Sequence, residues 1–150
     1  MIEIRDVTET DYTEWLRLFD LYLQFYNSSL PEEVKKSTFY RSLDYNVPMW
    51  SAIAISSETG RPIGLVNYLR HVSTWSTQDK IYMNDLYVDE SQRLQGVGKA
   101  LIDYVYAKAD SMETPEVYWC TSTSNHRAQL LYCKVGVFAD KVIYKRLPSS

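Results

Sequence analysis

Apolar residues recur along this 150-residue chain with two spacings, one typical of strands and one typical of helices. In the range 2–7 they alternate with charged residues, which predicts a short strand. Thr8, followed three residues later by Asp11, predicts a helix start. The apolar residues of this helix are Trp15, Leu16, Phe19, Tyr22, Leu23 and Tyr26. The chain therefore opens with a strand and an amphipathic helix.

The middle of the chain predicts a second, weaker helix and then three strands. Pro31 opens the helix. Its apolar positions are Val34, Phe39 and Leu43. The strands are expected at 50–56, 63–72 and 81–88. Turn residues in the range 59–62 predict that the first two strands form a hairpin.

Helices and strands alternate in the rest of the chain. The predicted elements are a helix at 96–109, a strand at 117–121, a helix from Ser124-Asn125 to about Gly136 and a final strand at 141–147. The complete order is β-α-α-β-β-β-α-β-α-β. An antiparallel meander that leads into a right-handed β-α-β unit predicts a mixed, twisted sheet in an α+β fold. Since no linker or repeat interrupts the pattern, a single domain, 1–150, is expected.

Composition narrows the class of protein. Shares of 45% hydrophobic and 23% charged residues are ordinary for a soluble globular domain. The apolar runs are too short for a membrane span and the N-terminus lacks a signal-peptide layout, which predicts an intracellular protein, cytoplasmic or nuclear. The net charge of −3 argues against binding to the nucleic-acid backbone and suits a cationic partner. Cys120 and Cys133 lack metal-ligand spacing, so free, buried thiols and no metal are expected.

The sequence Arg93-Leu94-Gln95-Gly96-Val97-Gly98-Lys99-Ala100-Leu101 is the first candidate site. A Gly-rich turn between a strand and a helix presents backbone N–H groups that can bind a phosphate. A Walker loop would need Gly at position 93 and Ser or Thr at position 100, and a Rossmann fingerprint would need Gly at position 101. The remaining motif, Arg93-x-x-Gly96-x-Gly98, fits either a phosphate site or a plain tight turn.

A second candidate site lies in the last predicted helix. Asn125, Ala128 and Tyr132 recur at helical spacing, so they share one face, with a small residue between an amide and a phenol. The alternative is a helix that packs through Ala128, Leu131 and Val135, with Tyr132 as a half-buried aromatic residue.

Together these segments resemble the Gcn5-related N-acetyltransferase (GNAT) superfamily, whose members transfer acetyl from acetyl-coenzyme A to amines. The resemblance covers essentially the whole chain and is carried by Arg93-x-x-Gly96-x-Gly98, Asp85-Leu86-Tyr87-Val88, Asn125-x-x-Ala128-x-x-x-Tyr132 and the strand order. Further segments, 81–90, 117–121, 125–132 and 141–146, are similar to a branch of small yeast histone and other-protein acetyltransferases that includes D-amino-acid and polyamine acetylating members. One departure is Val137, which follows Gly136 where the superfamily usually has an aromatic residue.

The resemblance implies the GNAT acyl-CoA N-acyltransferase fold, with the sheet splayed at its central strands by a bulge at about Leu86-Tyr87. Acetyl-coenzyme A would bind along this strand, at the glycine turn and on the last helix. The residues implied are Leu86, Tyr87, Val88, Arg93, Leu94, Gln95, Gly96, Val97, Gly98, Lys99, Asn125, Ala128, Tyr132 and Lys134. Among them Lys134, as a contact to a phosphate, is the weakest.

The acceptor amine must lose a proton before it attacks the thioester, since the pKa of such an ammonium group is near ~10. Asp85 is one candidate base and His71 a second. Alternatively, Asp85 is a strand-end carboxylate paired with a cation, and His71 is structural. The resemblance implies that Tyr132 protonates the coenzyme A thiolate and that transfer is direct, in a ternary complex.

The expected acceptor is a primary amine, either a protein or histone lysine or a polyamine, with a D-amino acid or another small amine as the alternative. A coenzyme A-binding module without turnover is the alternative of another class. The branch also implies a homodimer, or a larger assembly, in which the strands at 141–147 pair between subunits, since an edge strand needs a partner or a cover. Direct binding to nucleic acid or to a membrane is not expected.

Overall fold

A computed structural model describes residues 1–92 and 96–148. The chain forms two compact units, Met1–Cys120 and Thr121–Ser150. In the described residues the first unit contains the strands and the first three helices, and the second contains the last helix. The single-domain organisation stays a prediction.

The helices and strands follow the predicted order as far as the last helix. In the first unit they are β1 (Ile2–Asp6), α1 (Tyr12–Phe25), α2 (Glu32–Arg41), β2 (Met49–Ser56), β3 (Pro62–His71), β4 (Lys80–Val88), α3 (Val97–Ser111) and β5 (Val117–Tyr118). The second unit contains α4 (His126–Val135). Short 3-10 turns, Glu9–Asp11 and Glu90–Gln92, precede α1 and α3.

The strands form one mixed sheet in the order β1-β2-β3-β4-β5. The first four are antiparallel neighbours, and β5 joins β4 in parallel. The connection from β4 to β5 contains α3, as expected of a β-α-β unit. The predicted α+β fold with a mixed sheet is therefore confirmed.

Helices α1 and α3 cover opposite faces of the sheet. Leu65 of β3 packs in the cluster that contains Trp15 and Phe19 of α1. The adjacent Gly64 faces Val97 and Leu101 of α3. Consecutive strand residues point to opposite faces, so the two contacts define two layers. The fully buried Trp15 also donates a hydrogen bond from Nε1 to Ser51 Oγ at 2.8 Å, which anchors α1 to β2.

Three expectations are corrected. The range 141–147 forms no strand in the described residues, because no described strand pairs with it there. The fifth strand contains two residues, not five, since only Val117 and Tyr118 pair with β4. Cys120 and Cys133 are free, as predicted, but exposed, because they lie beyond the strand and on a helix that buries no residue fully.

No helix in the described ranges combines the length and the apolar character needed to span a bilayer.

Candidate active site

Helix α3 begins at Gly96, which has left-handed backbone torsions with φ +77°. Such torsions are strained for any residue with a Cβ, so the turn requires glycine. Helix geometry leaves the first N–H groups, those of Val97, Gly98 and Lys99, without partners inside the helix. A helix start of this kind, with free N–H groups and the positive end of the helix dipole, suits an anion. The predicted contacts Arg93, Leu94 and Gln95 lie outside the described residues.

The start of α3 is anchored by a close approach to β3 that the sequence reasoning missed. A Cβ on Gly64 would lie 3.0 Å from the Tyr87 backbone oxygen, 3.2 Å from Leu101 Cδ1 and 3.3 Å from Val97 Cγ1. Val97 and Leu101 are buried. Glycine at position 64 therefore lets the first turn of α3 pack against the sheet. Its place inside a strand pattern is a signal of such an approach.

A second missed group holds the chain where it leaves β4. Arg17 of α1 donates to the Pro62 carbonyl at 2.7 Å and lies 3.5 Å from the Asp89 carboxylate. Asp89 also accepts from the Ser91 backbone N–H at 3.1 Å and from the Ser91 hydroxyl at 3.0 Å. Burial alone would raise the pKa of Asp89, but these hydrogen bonds and Arg17 hold it below its ordinary value. These hydrogen bonds hold Asp89 and Ser91, the first residues of the connection from β4 to α3.

Strand β4 contains an irregularity two residues earlier than expected. Asn67 of β3 faces Asp85, while the next residue, Tyr68, faces Met83, so Asn84 is the extra residue of a bulge. The predicted bulge at Leu86-Tyr87 is wrong because the pairing with β3 stays regular from Asp85 to Val88. The ladder between β4 and β5 comprises only the pairs Ile81–Val117 and Tyr82–Tyr118, whereas β4 continues to Val88.

The predicted cofactor contacts on β4 differ in exposure. Leu86 and Val88 are half-buried, but the Tyr87 side chain is buried in the core. Its ring contacts Tyr22 of α1 edge-on at 6.2 Å. Only the backbone of Tyr87 therefore suits a role in ligand binding.

Asp85 lies beside the bulge and accepts hydrogen bonds from neutral donors. Asn67 Nδ2 donates to it at 3.0 Å and Asn84 Nδ2 at 3.3 Å. Burial raises the pKa of Asp85 above its ordinary value, and its interactions with Asn67, with Tyr22 of α1 and with Asn84 oppose that rise. Among the described residues no cation forms an ion pair with Asp85, which weighs against the alternative of a paired strand-end carboxylate.

Asn67 has an unsatisfied polar atom in the same place. Its residue is only 3% exposed, and in the described part of the chain Oδ1 has no hydrogen-bond partner. Buried polar atoms without partners are rare in folded proteins and mark functional sites or places for water. The amide therefore offers an acceptor beside the Asp85 carboxylate.

His71 is not an isolated residue. Its Nδ1 lies 2.7 Å from the Val72 carbonyl, which can only accept, so Nδ1 carries the proton. Its Nε2 then accepts from the Tyr118 hydroxyl at 2.7 Å. The Tyr118 ring lies 4.9 Å from that of Tyr82 on β4. This arrangement links His71 to the two strands where their pairing ends.

In the second unit, Asn125 caps α4. Its side-chain oxygen accepts from the Ala128 backbone N–H at 3.3 Å, and the amide NH₂ of Asn125 remains the donor for a ligand. Asn125, Ala128 and Tyr132 are all half-buried, whereas Lys134 is exposed. Leu131 and Val135 are half-buried as well, so both the ligand face and the packing alternative stay open for α4.

The first unit thus brings Asp85 together with a bulge, an incomplete ladder and the strand that leads to α3. Comparison with known proteins then decides the family. The sequence model of the Acetyltransferase (GNAT) family matches residues 15–137. The chain belongs to the GNAT family.

A yeast relative extends this assignment over nearly the whole GNAT chain. The D-amino-acid N-acetyltransferase HPA3 of Saccharomyces cerevisiae is 46% identical over 145 residues, which are 97% of this chain and 90% of that protein. Family and relative together show that this GNAT protein is an N-acetyltransferase.

Solved structures confirm the GNAT fold. A probable acetyltransferase superposes with a TM-score of 0.84 at 24% identity and covers 99% of this chain and 98% of its own. The aminoglycoside acetyltransferase AAC(6')-Iy, in complex with the bisubstrate analogue CoA-S-monomethyl-acetylneamine, has a TM-score of 0.85 at 20% identity and 99% coverage of both chains. At these identities the likeness shows the fold alone.

Proposed function

We propose that this GNAT protein transfers acetyl from acetyl-coenzyme A to a primary amine by direct attack in a ternary complex. The observation that carries the proposal is Asp85, a half-buried carboxylate beside a bulge and surrounded by neutral donors. An ammonium group must be deprotonated before it can attack, and a carboxylate with a raised pKa is a better base than an ordinary one. Asp85 would take that proton, directly or through a water.

The phosphates of acetyl-coenzyme A are assigned to the start of α3. The N–H groups of Val97, Gly98 and Lys99 suit an anion, and so does the space around Gly96, where an added Cβ would meet no atom of the described residues within 4 Å. Residues Arg93, Leu94 and Gln95 would complete the site. AAC(6')-Iy, which has the same fold at 20% identity, was solved in complex with coenzyme A, and this supports coenzyme A as the ligand.

The remaining part of acetyl-coenzyme A is assigned by resemblance to the family. The backbone of Leu86, Tyr87 and Val88 would pair with the pantetheine arm as an added strand does. The Asn125 amide would bind a pantetheine carbonyl, beside the small Ala128. Lys134 is a weaker candidate for a phosphate contact.

Tyr132 is proposed to protonate the coenzyme A thiolate as it leaves. Tyr132→Phe should then lower kcat about 100-fold or more, as expected for the loss of a general acid, with an unchanged Kd for acetyl-coenzyme A. Steady-state kinetics and calorimetric titration measure the two quantities. An unchanged kcat would remove the acid from the mechanism.

For the acceptor we favour the α-amino group of a D-amino acid over a protein lysine or a polyamine. Support comes from the 46% identity with HPA3, a D-amino-acid N-acetyltransferase. The assay is release of free thiol from acetyl-coenzyme A with D-amino acids, the matching L-amino acids, spermine and a Lys-rich histone-tail peptide. If thiol release is faster with spermine or with the peptide, that compound and not the D-amino acid is the preferred acceptor.

The same assay tests catalysis itself. Coenzyme A binding without thiol release from any acceptor would indicate a binding module and refute the transferase proposal. With the best acceptor, Asp85→Asn should abolish the dependence of kcat/KM on the ionisation of a carboxylate at the acidic end of the pH profile. A profile that keeps that limb would assign the base to another group, with His71 the next candidate.

We also propose a homodimer, or a larger assembly, in which the range 141–147 pairs with a second copy. The apolar side chains near the C-terminus are at least 70% exposed: Val137, Phe138, Val142, Ile143, Tyr144 and Leu147. An exposed apolar segment of this length favours burial against a partner. Sedimentation at micromolar concentration should show a dimer that Ile143→Asp dissociates; a monomeric parent protein would refute the proposal.

A further inference from the structure

Asn67 and Asp85 face each other across β3 and β4 as the last regular pair before the bulge. Asn67 lies on the face of the sheet that α1 covers, because it is two residues from Leu65 on β3. Opposite residues of an antiparallel pair have Cβ atoms about 4.5–5.5 Å apart, so a short amide and a short carboxylate can meet directly. They do so through Asn67 Nδ2, which donates to Asp85 Oδ2 at 3.0 Å.

The orientation of the Asn67 amide is explained by this carboxylate. The residue is only 3% exposed, and in the described part of the chain its Oδ1 has no hydrogen-bond partner. A buried acceptor without a partner costs free energy, and an amide that served stability would be expected to have partners for both polar atoms. A charged carboxylate can only accept, so Nδ2 and not Oδ1 of Asn67 must point to Asp85.

The two oxygens of Asp85 are held differently. Oδ2 accepts from the buried Asn67 at 3.0 Å, whereas Oδ1 accepts from Asn84 at the longer distance of 3.3 Å. Asn84 is exposed and is the extra residue of the bulge, so water competes for its amide. A hydrogen bond that is shielded from water is stronger than one that is not. The bond to Oδ2 is therefore the firmer of the two.

This difference selects the oxygen that can take up a proton. Protonation uses a lone pair of one carboxylate oxygen and turns that oxygen into a donor. On Oδ2 the new proton would oppose the N–H group of Asn67, and the buried hydrogen bond would be lost. On Oδ1 it would compete only with the exposed Asn84, and the bond from Asn67 would persist. The geometry thus favours Oδ1.

The titratable groups that interact with this carboxylate are phenols. They are Tyr22 of α1 and Tyr82 of β4, and burial, as the largest cause, raises the pKa of both, so they stay neutral. From β3 the carboxylate meets the neutral Asn67. In the described ranges no cation is among the interactions that shift the pKa of Asp85. Burial raises that pKa, and the interaction with Asn67 is the largest of those that oppose the rise.

We infer that Asn67 is a positioning residue for Asp85: its Nδ2 fixes one carboxylate oxygen, Oδ2, so that the other, Oδ1, takes the proton of the acceptor ammonium group. This inference rests on the proposed role of Asp85 as the base. In the step, an N–H bond of the ammonium group breaks and an O–H bond forms at Oδ1. The electron pair stays on nitrogen for attack on the thioester. Asn67 exchanges no proton and acts through Asp85.

The test measures the pKa of Asp85 from the pH dependence of its carboxyl carbon in NMR spectra of the intact protein, together with the acidic limb of kcat/KM. Asn67→Leu keeps a side chain of similar size and removes the donor. Because Nδ2 stabilises the charged carboxylate, its loss raises the pKa of Asp85, and both the titration and the limb should move up by about one pH unit. Asn84→Ala, the matched control, removes the exposed donor from the same carboxylate and should move them far less.

A second variant keeps the test decisive if leucine packs poorly at this buried position. Asn67→Ala removes the same donor without adding volume and should shift the titration in the same direction. Thermal unfolding of each variant checks that folded proteins are compared. An unmoved Asp85 titration in both position-67 variants, or an equal shift in Asn84→Ala, overturns the inference.

Failure of the proposed base gives a different result. If the titration of Asp85 moves in Asn67→Leu while the acidic limb stays in place, or if Asp85→Asn keeps that limb, Asp85 is not the base. The inference then falls with the base assignment. A failure of Asn67 itself is distinguished from this because the limb is lost in Asp85→Asn but neither the titration nor the limb moves in the position-67 variants.

Discussion

Helix α3 starts at Gly96, which has no side chain to cap it, whereas α4 starts at Asn125, whose side-chain oxygen bonds the Ala128 N–H at 3.3 Å. A capped start has already used part of its donor capacity, and an uncapped start offers all of it to a ligand. The same feature, a helix N-terminus, therefore serves two purposes in this chain. At α3 it is suited to an anion, and at α4 it stabilises the helix.

Anchoring sharpens the difference. Val97 and Leu101 of α3 are buried against the sheet, whereas no residue of α4 is fully buried. Tertiary contacts hold the start of α3, which is the support that a preformed ligand site needs. The α4 start depends on its own cap. Substitutions at the start of α3 should therefore weaken ligand binding, whereas substitutions at the start of α4 should also lower stability.

The largest effect is expected from Gly98→Glu. A carboxylate in the first turn of α3 would repel phosphates and occupy their place, so the Kd for acetyl-coenzyme A should rise at least about 100-fold, or roughly 2.7 kcal/mol. Titration calorimetry measures it. Ala107→Glu, which adds the same charge at an exposed position farther along α3, is the control and should bind normally. Equal binding by both variants would place the phosphates elsewhere.

Gly64→Ala should come next. Its Cβ would meet Tyr87, Leu101 and Val97 atoms at 3.0–3.3 Å, so overpacking should cost about 1–3 kcal/mol of unfolding free energy and raise the KM for acetyl-coenzyme A. Gly60→Ala is the matched control. Gly60 has φ +68° and no atom within 4 Å of an added Cβ, so strain of about 1–2 kcal/mol should leave KM unchanged. If KM rises equally in both, general destabilisation explains it.

Two variants of Asn125 distinguish its role as a helix cap from its proposed role as a ligand contact. Asn125→Ala should cost about 1 kcal/mol of unfolding free energy, measured in urea, and raise the KM for acetyl-coenzyme A. Asn125→Ser keeps an N-cap but removes the amide donor. Stability should therefore recover in the Ser variant while KM stays raised; recovery of both would reduce Asn125 to a cap.

The smallest effect concerns the 3-10 turn Glu9–Asp11 before α1, where Thr8 and Asp11 form a capping box. Asp11 accepts from the Thr8 backbone N–H at 2.7 Å and from Arg5 Nη1 at 2.7 Å. The hydrogen bond from Arg5 holds the pKa of Asp11 below its ordinary value of 3.8. This stabilisation is present above that value and is lost as pH falls through the lower, folded one. In urea unfolding from about pH 5 downward, Asp11→Asn should lose stability less steeply than the parent; parallel curves would contradict this.

Much of the fold was predictable because its signals are local. Alternation identified the first four strands, and helical spacing identified the helices, with ends within a few residues of those observed. The capping pair Thr8 and Asp11 is present as expected. The final strand failed because pairing depends on a partner, which no local pattern supplies. The bulge was misplaced for a related reason: Asn84 is extra only relative to β3.

The candidate site was predictable in its motifs and not in its surroundings. Asp85, the glycine turn and the α4 residues can be read from spacing and family resemblance. Gly64, Arg17, Asp89 and Tyr22 were missed, since each acts on a residue that is distant in sequence. Of these four residues, only Gly64 could have been identified from the sequence, because a glycine inside a strand pattern indicates a close backbone approach.

The sequence alone determined the order of helices and strands, the glycine turn before α3 and the resemblance that led to acetyl transfer. These properties follow from periodicity and from residues close together in the chain. Tertiary structure decided which groups surround Asp85 and how α3 is anchored. It did so because α1 and β3 bring Tyr22 and Asn67 to one carboxylate on β4, and because the pKa of a buried acid depends on such neighbours.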